Sequence, residues 1–223
     1  MRVVQMWSGR SCRVSKTRER GAARRPVEAV VSDGERGAQM GRSVLAALRG
    51  RGIPPVEAEV VLEALRLAME PRTRLLDDDH HPSFLHPGRS VLVILHDVQE
   101  PAGANSLALA ALHESRDDRL RVGTADVERI LGVELAGALE ELPRPGWEDL
   151  AERLVLLERG PALAVLAEHL DHLRHLHLRH DLVMERASVY EEVAEVWGPF
   201  AQRTEPRMGV RFAHWLRTFR KRL

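Results

Sequence analysis

Two short stretches of the sequence place a histidine directly before a carboxylate. VILHDVQE contains His96-Asp97, and AALHESRDD contains His113-Glu114. Imidazole and carboxylate groups together bind divalent metals such as Mn, Fe, Zn and Mg. A metal with an open coordination position lowers the pKa of a bound water and so supports hydrolysis. The question is which of the two stretches has the surroundings that such a site needs.

The His96-Asp97 pair comes at the end of a predicted helix, SVLVILHDVQE, just before the loop PAGANS. Taken alone, the two side chains could bind a metal as a pair. A histidine near a helix C-terminus is stabilised by the helix dipole, however, and needs no metal to explain it. We therefore interpret this pair as structural.

The His113-Glu114 pair follows the strongly apolar segment LALAAL, which predicts that both side chains are buried. A buried carboxylate beside a buried histidine needs a charged partner or a metal. If the helix continues, Asp117 and Asp118 follow this pair at i+4 and project from the same surface one turn later. One of these carboxylates could then position or deprotonate a bound water. The alternative is a charged helix end whose arginines pair with the two aspartates.

The composition sets limits on the class of protein. A chain of 223 residues that is 44% hydrophobic and 30% charged is long enough for one sizeable core. Lys+Arg and Asp+Glu are each 33, so no net basic field favours nucleic acid as a partner. Cys12 is the only cysteine, which excludes an intrachain disulfide and thiolate metal clusters. No apolar run suits a membrane span or a secretory signal, so we expect a cytoplasmic protein with no membrane partner.

The hydrophobic pattern predicts an all-α fold, because Ala, Leu, Arg and Glu dominate and no alternating strand pattern of useful length occurs. A polar loop is expected over 71–90. Helices are predicted over 55–70, 90–98, 106–116, 124–131, 133–142, 147–158, 161–180 and 181–202, with a basic terminal helix over 207–223.

The first 39 residues differ from the rest, because they contain Gly, Ser, Pro and Arg without sustained periodicity. This composition predicts a disordered tail. Met40 offers another interpretation, in which it is the true translation start; a transit peptide is disfavoured by the four acidic residues in the segment. We expect a single helical domain over 40–223, with its core at about 55–203.

The order of motifs resembles that of HD-domain phosphohydrolases, and more narrowly the hydrolase domain of the RelA/SpoT family and its small stand-alone alarmone hydrolases. That family has an HP dipeptide opening a helix, an HD pair, an acidic pair, and a late Asp in a leucine-rich helix. The corresponding segments here are His86-Pro87, ALAALHESRDD, RILGVELAGALEEL and HLDHLRHLH, and the resemblance covers roughly residues 55–203.

The resemblance implies an HD-type helical bundle that uses a divalent metal, Mn²⁺ in the family, to remove the 3′-pyrophosphate of a guanosine alarmone, (p)ppGpp. Counted from the HP dipeptide, the family's spacing leads to His113-Glu114 and not to His96-Asp97. The implied metal ligands are His86, His113, Glu114 and Asp171, and the pair that handles the attacking water is Asp117 and Asp118. The resemblance also implies that Arg74 contacts the guanine and that His175 occupies a nucleotide-binding position. Basic residues near the mouth of the site are expected to hold the phosphates: Arg72, Arg74, Arg116 and Arg119.

The sequence departs from the family at several of these positions. Glu114 replaces the Asp of HD, Asp117-Asp118 replaces a Glu-Asp pair, and Glu168 stands where the family has Lys. Two alternatives therefore stay open: an HD phosphohydrolase of another nucleotide, such as a deoxynucleoside monophosphate, and a degenerate HD domain that binds a nucleotide or a protein partner without turnover. The late histidines are interpreted as a partly solvated helix face: His169, His172, His175, His177 and His180.

Overall fold

The computed structural model of the protein describes residues 33–75, 83–114 and 120–222, with the side chains of 33–35, 74–75 and 180–181 excepted. Throughout this part of the chain the regular structure is helical, which confirms the predicted all-α fold. The α-helices are α1 (Asp33–Gly50), α2 (Pro55–Leu75), α3 (His86–Asp97), α4 (Ala104–Leu112), α5 (Thr124–Leu131), α6 (Val133–Glu141), α7 (Leu150–Leu156), α8 (Arg159–His175), α9 (Arg186–Glu192), α10 (Gly198–Thr204) and α11 (Pro206–Phe219).

Helix α4 is the centre of the molecule. It packs against α2, α3 and α8, and nearly all of its side chains are buried. A helix that is apolar on all sides is stable only when other elements surround it, and the small alanines of LALAAL let its neighbours approach closely. Helix α8 is buried in the same way from Ala162 to Leu173. The prediction that the segment before His113 is buried is therefore confirmed.

Helix α4 ends earlier than predicted. Its last residue is Leu112, and His113 already has extended backbone angles, φ −68° and ψ 120°. The prediction of a helix through residue 116 was wrong, and with it the argument that Asp117 and Asp118 lie one helical turn beyond the His113-Glu114 pair. Residues 115–119, which include both aspartates and Arg116, lie outside the described residues.

The connection between α2 and α3 is shorter than the predicted loop over 71–90. Helix α2 continues through Pro71 to Leu75, and α3 begins at His86 with Pro87 in its first turn, where proline is tolerated because its missing N–H would have no partner. Arg72 therefore belongs to a helix. Arg74 lies on the last turn of α2, and its side chain is not among those described.

The two ends of the chain contribute to the same core. Helix α1 begins at Asp33, before the boundary at residue 39 that composition suggested, and buries Val44 and Leu48 completely. At the other end, α11 packs on α10 and α8 through residues such as Met208 and Phe212. Between α9 and α10 the chain makes one π-helical turn, Val193–Trp197. Within the described ranges, no helix is both long and apolar enough to cross a bilayer.

Candidate metal centre

Four buried side chains bring their donor atoms together near the middle of the bundle. Each contributes one nitrogen or oxygen atom, and these atoms lie within 4.8 Å of one another; the residues are His86, Glu114, Glu168 and His172. The exposed fraction of the four residues is 1%, 3%, 0% and 8%. Two imidazoles and two carboxylates at this separation form a group that could hold a divalent metal ion.

Three helices position the group. His86 is the first residue of α3, and Glu114 lies two residues beyond the end of α4. Glu168 and His172 stand on successive turns of α8, at the i, i+4 spacing that places two side chains on one face. Because α3 and α4 both pack against α8, the start of one and the end of the other meet at this face.

The surroundings of His86 leave its Nε2 atom without a hydrogen bond. Its Nδ1 donates to Asp171 Oδ2 at 2.8 Å, so the unprotonated atom of the neutral ring is Nε2. Nε2 is buried without a hydrogen bond and lies 3.8 Å from Glu168 Oε1. Burial, followed by the nearby His172, lowers the pKa of His86 in spite of the two acidic neighbours, which keeps the ring neutral. A carboxylate that fixes the far nitrogen of a ligating histidine is a common feature of metal sites.

Glu168 has imidazoles on both sides. Its Oε1 is 2.8 Å from His172 Nε2, and its Oε2 is 3.5 Å from His113 Nδ1. Burial by itself would raise the pKa of this carboxyl, but His172 and His113 outweigh that effect and hold the pKa well below its usual range. An ionised carboxylate with no exposed surface needs cationic partners or a metal.

Glu114 is held by a buried arginine. Arg72 Nη2 donates to Glu114 Oε2 at 2.6 Å, while Glu114 Oε1 lies 3.2 Å from His172 Nε2. Arg72 also donates to the carbonyl of Ser83 and is 1% exposed. Burial would raise the pKa of Glu114, but His172 and Arg72 lower it below the usual range. The expectation that Arg72 holds substrate phosphate at the mouth of the site was wrong, because the side chain is inside and orients Glu114.

The structure brings two of the four expected ligands into the group, His86 and Glu114. Asp171 is outside the group: its carboxylate accepts hydrogen bonds from His86 Nδ1 and, at 2.9 Å, from Arg89. Burial would raise the pKa of Asp171, but His86 and Arg89 keep it below its usual range. His113 is also buried, and it contacts the group through Glu168.

Two members of the group, Glu168 and His172, were not expected as ligands. His172 had been interpreted as part of a solvated face, and this was wrong, because it is 8% exposed and its ring lies 4.1 Å from that of His86. The signal was present in the sequence as a Glu and a His four residues apart in the apolar stretch ALAVLAEHLDHL. His175 is half-buried and its Nδ1 lies 2.8 Å from the backbone oxygen of Asp171.

A narrow cleft of about 10 Å³, which has room for about one water molecule, borders the group between α3 and the end of α8. At its base are His86, Asp171 and His172, and it is flanked by Arg89, His175 and Arg179. The base therefore presents donors that suit a metal, while the walls present guanidinium groups that suit an anion.

The residues present fit a divalent metal. The buried Nε2 of His86 has no hydrogen bond, and its carboxylate and imidazole neighbours are the ligand types that Mn, Fe and Zn share. Comparisons with known proteins add no relative: no family model, no curated protein and no solved structure matches the chain.

Proposed function

We propose that the chain is a divalent-metal-dependent phosphohydrolase, with its metal held by His86, Glu114, Glu168 and His172. The observation that supports this most is the buried group of two imidazoles and two carboxylates at the base of a cleft flanked by arginine. A bound metal would supply Lewis acidity and would lower the pKa of a water molecule towards neutrality.

The chain's own residues have separate roles in this proposal. Asp171 fixes the ring of His86 so that Nε2 faces the other donors, and Arg72 fixes Glu114. Arg89 and Arg179 line the cleft with guanidinium groups that can bind phosphate oxygens, and Arg89 is also paired with Asp171. His113, at 3.5 Å from Glu168, places a second imidazole beside the carboxylate and helps to stabilise its charge.

The resemblance to HD-domain alarmone hydrolases suggests the substrate. It supports a nucleotide pyrophosphate, and within that class the 3′-pyrophosphate of a guanosine alarmone, with Mn²⁺ as the metal and the cytoplasm as the location. The same resemblance assigns the attacking water to Asp117 and Asp118, and contacts with the nucleotide to Arg74, Arg116 and His175. Of these five side chains, only that of His175 is among those described.

A nucleotide panel with matched variants tests the proposal. Purified protein with Mn²⁺ is incubated with ppGpp, GDP and deoxynucleoside monophosphates, and released phosphate and pyrophosphate are measured. We expect pyrophosphate from ppGpp, loss of this activity in Glu168→Gln, and unchanged activity in Asp97→Asn, which removes a buried carboxylate elsewhere. Protein that binds Mn²⁺ and hydrolyses no nucleotide of the panel would contradict the proposal.

The burial of the donors favours a second candidate, a structural metal centre in a binding module. All four donor residues are at most 8% exposed, and structural metal sites are closed, whereas catalytic sites keep a position open for water or substrate. For this candidate, removal of the metal lowers the melting temperature and no nucleotide is turned over.

A further inference from the structure

A second cleft lies between the end of α8 and helix α11, and we call it the α8–α11 cleft. Its volume is about 300 Å³, at the lower end of the range for small-molecule sites, which starts at ~300 Å³. The residues that line it are apolar, basic or hydroxyl-bearing, and none is acidic. Such a lining suits a ligand that has an apolar body and a negative charge.

The apolar wall of the cleft is rigid. The rings of Trp215 and Phe219 lie 4.5 Å apart and are nearly parallel, at 16°. The indole N–H of Trp215 donates to the backbone oxygen of Leu173 at 2.8 Å, which fixes the ring against α8. Trp215 and Phe219 are 7% and 4% exposed, so a flat ligand would meet a small, preformed part of their surface, and binding would cost little side-chain entropy.

The polar rim of the cleft is positively charged. It contains Arg174, Arg211 and Arg222, together with two histidines. Asp97 lies behind this rim, 2.7 Å from Arg211 Nη2 and 3.5 Å from Arg174 Nη2. One carboxylate offsets only part of the charge of three guanidinium groups, and residues 206–222 contain neither Asp nor Glu. Guanidinium groups of this kind bind phosphate by charge-assisted hydrogen bonds.

The α8–α11 cleft is separate from the metal centre. Leu170, Leu173 and Arg174 line the cleft, whereas the metal donors on the same helix are Glu168 and His172. With 3.6 residues per turn, the first three side chains project from the side of α8 opposite to the two donors. A ligand in the cleft would therefore leave the metal centre accessible from its own side.

We infer that the α8–α11 cleft binds a phosphorylated small molecule with an aromatic ring, of the size of a mononucleotide. The ring lies against Trp215, and the phosphate faces Arg211 and Arg222. The inference does not rest on the proposed hydrolase activity, because no residue that lines the cleft belongs to the metal-binding group.

Titration of the full-length protein with GDP, monitored by calorimetry and by tryptophan fluorescence, tests this inference. We expect saturable binding and a fluorescence change that Trp215→Phe removes. Arg222→Gln should weaken binding about tenfold, the effect of one charge-assisted hydrogen bond. Arg222 is exposed, so the variant keeps the fold; the matched control is Arg217→Gln, an exposed arginine of α11 outside the cleft, which should bind GDP as the original chain does.

Further results decide between sites and ligands. Unchanged GDP binding in Glu168→Gln supports a site apart from the metal centre, and equal weakening in Glu168→Gln and Arg222→Gln would overturn that separation. Absence of saturable GDP binding would overturn the inference. Binding of inorganic pyrophosphate as tight as that of GDP would also overturn the inference, because the guanine ring would then contribute nothing to affinity. Tighter binding to phosphatidylglycerol vesicles, weakened equally by Arg217→Gln, would replace the small-molecule site with a lipid surface.

Discussion

His96-Asp97 and His113-Glu114 have the same order of residue types, and both lie at the end of a helix, but they have different surroundings. The first pair forms the last two residues of α3, and the second pair directly follows α4. His96 is exposed, and Asp97 turns towards Arg211 and the α8–α11 cleft. Both residues of the second pair are buried beside α8, and there Glu114 joins the candidate metal centre.

The partners of the two carboxylates show the same difference. The side chain of Arg211, which pairs with Asp97, is 53% exposed, whereas that of Arg72, which pairs with Glu114, is 1% exposed. Water screens the first ion pair and is excluded from the second. A His-acid dipeptide therefore indicates a metal site only when the helix end that carries it faces other donors inside the core.

The largest effect is expected for Arg72→Ala. The variant leaves Glu114 buried without its guanidinium, so the free energy of unfolding should fall by about 3–5 kcal/mol. The control is Arg66→Ala on the same helix, whose side chain is 55% exposed and pairs with Glu63; water screens this pair, so its loss should change the free energy of unfolding much less. Urea unfolding measures both. Equal losses in the two variants would show that the Arg72–Glu114 pair has no special role.

A smaller effect is expected for Asp171→Asn, which replaces the carboxylate that orients His86 with a neutral amide. Removing such a partner of a metal ligand should lower metal affinity about 10–100-fold. Asp97→Asn is the counterpart in the other region and should leave metal affinity unchanged. Metal titration of both variants measures this, and unchanged affinity in Asp171→Asn would mean that His86 does not ligate through Nε2.

The stability of the metal-free protein should also depend on pH, through His86, Glu114 and Glu168. The folded-state pKa of His86 is lowered, chiefly by burial, so the unfolded chain binds more protons and stability rises with pH. The contribution of His86 is complete above its unfolded pKa of about 6.5 and is lost as pH falls towards the folded value. Glu114 and Glu168, whose folded pKa values are also lowered, add a further loss below about pH 4.3.

Melting temperatures between pH 7.5 and pH 4, in the presence of a chelator, measure this dependence. His86→Asn should flatten the profile below pH 6.5. A His86→Asn profile as steep as that of the original chain would assign the dependence to other groups.

The smallest effect is expected for Arg211→Ala. Arg174 stays near Asp97 at 3.5 Å, and Arg211 is half-exposed, so the free energy of unfolding should change by about 1 kcal/mol or less. Urea unfolding in parallel with Arg72→Ala checks this. A loss as large as that of Arg72→Ala would remove the distinction between the two His-acid pairs.

Much of the fold followed from hydrophobic periodicity, and parts of the site did not. The burial of α4 was predictable because LALAAL is apolar on all sides. The end of α4 at Leu112 was not, because residues 113–122 contain no glycine or proline that would stop a helix. Glu168 and His172 were visible as an i, i+4 pair, but which face of α8 lies towards His86 is decided only by tertiary contacts.

The metal content of the purified protein and of two variants tests the central claim most directly. After incubation with Mn²⁺, Fe²⁺ or Zn²⁺ and removal of excess, we expect about one tightly bound equivalent in the original chain and in Asp97→Asn, as for a single four-donor site. Glu168→Gln should retain much less, because a carboxamide is a poor substitute for an ionised ligand. The same metal content in Glu168→Gln as in the original chain, or no bound metal in any of the three proteins, would contradict the account.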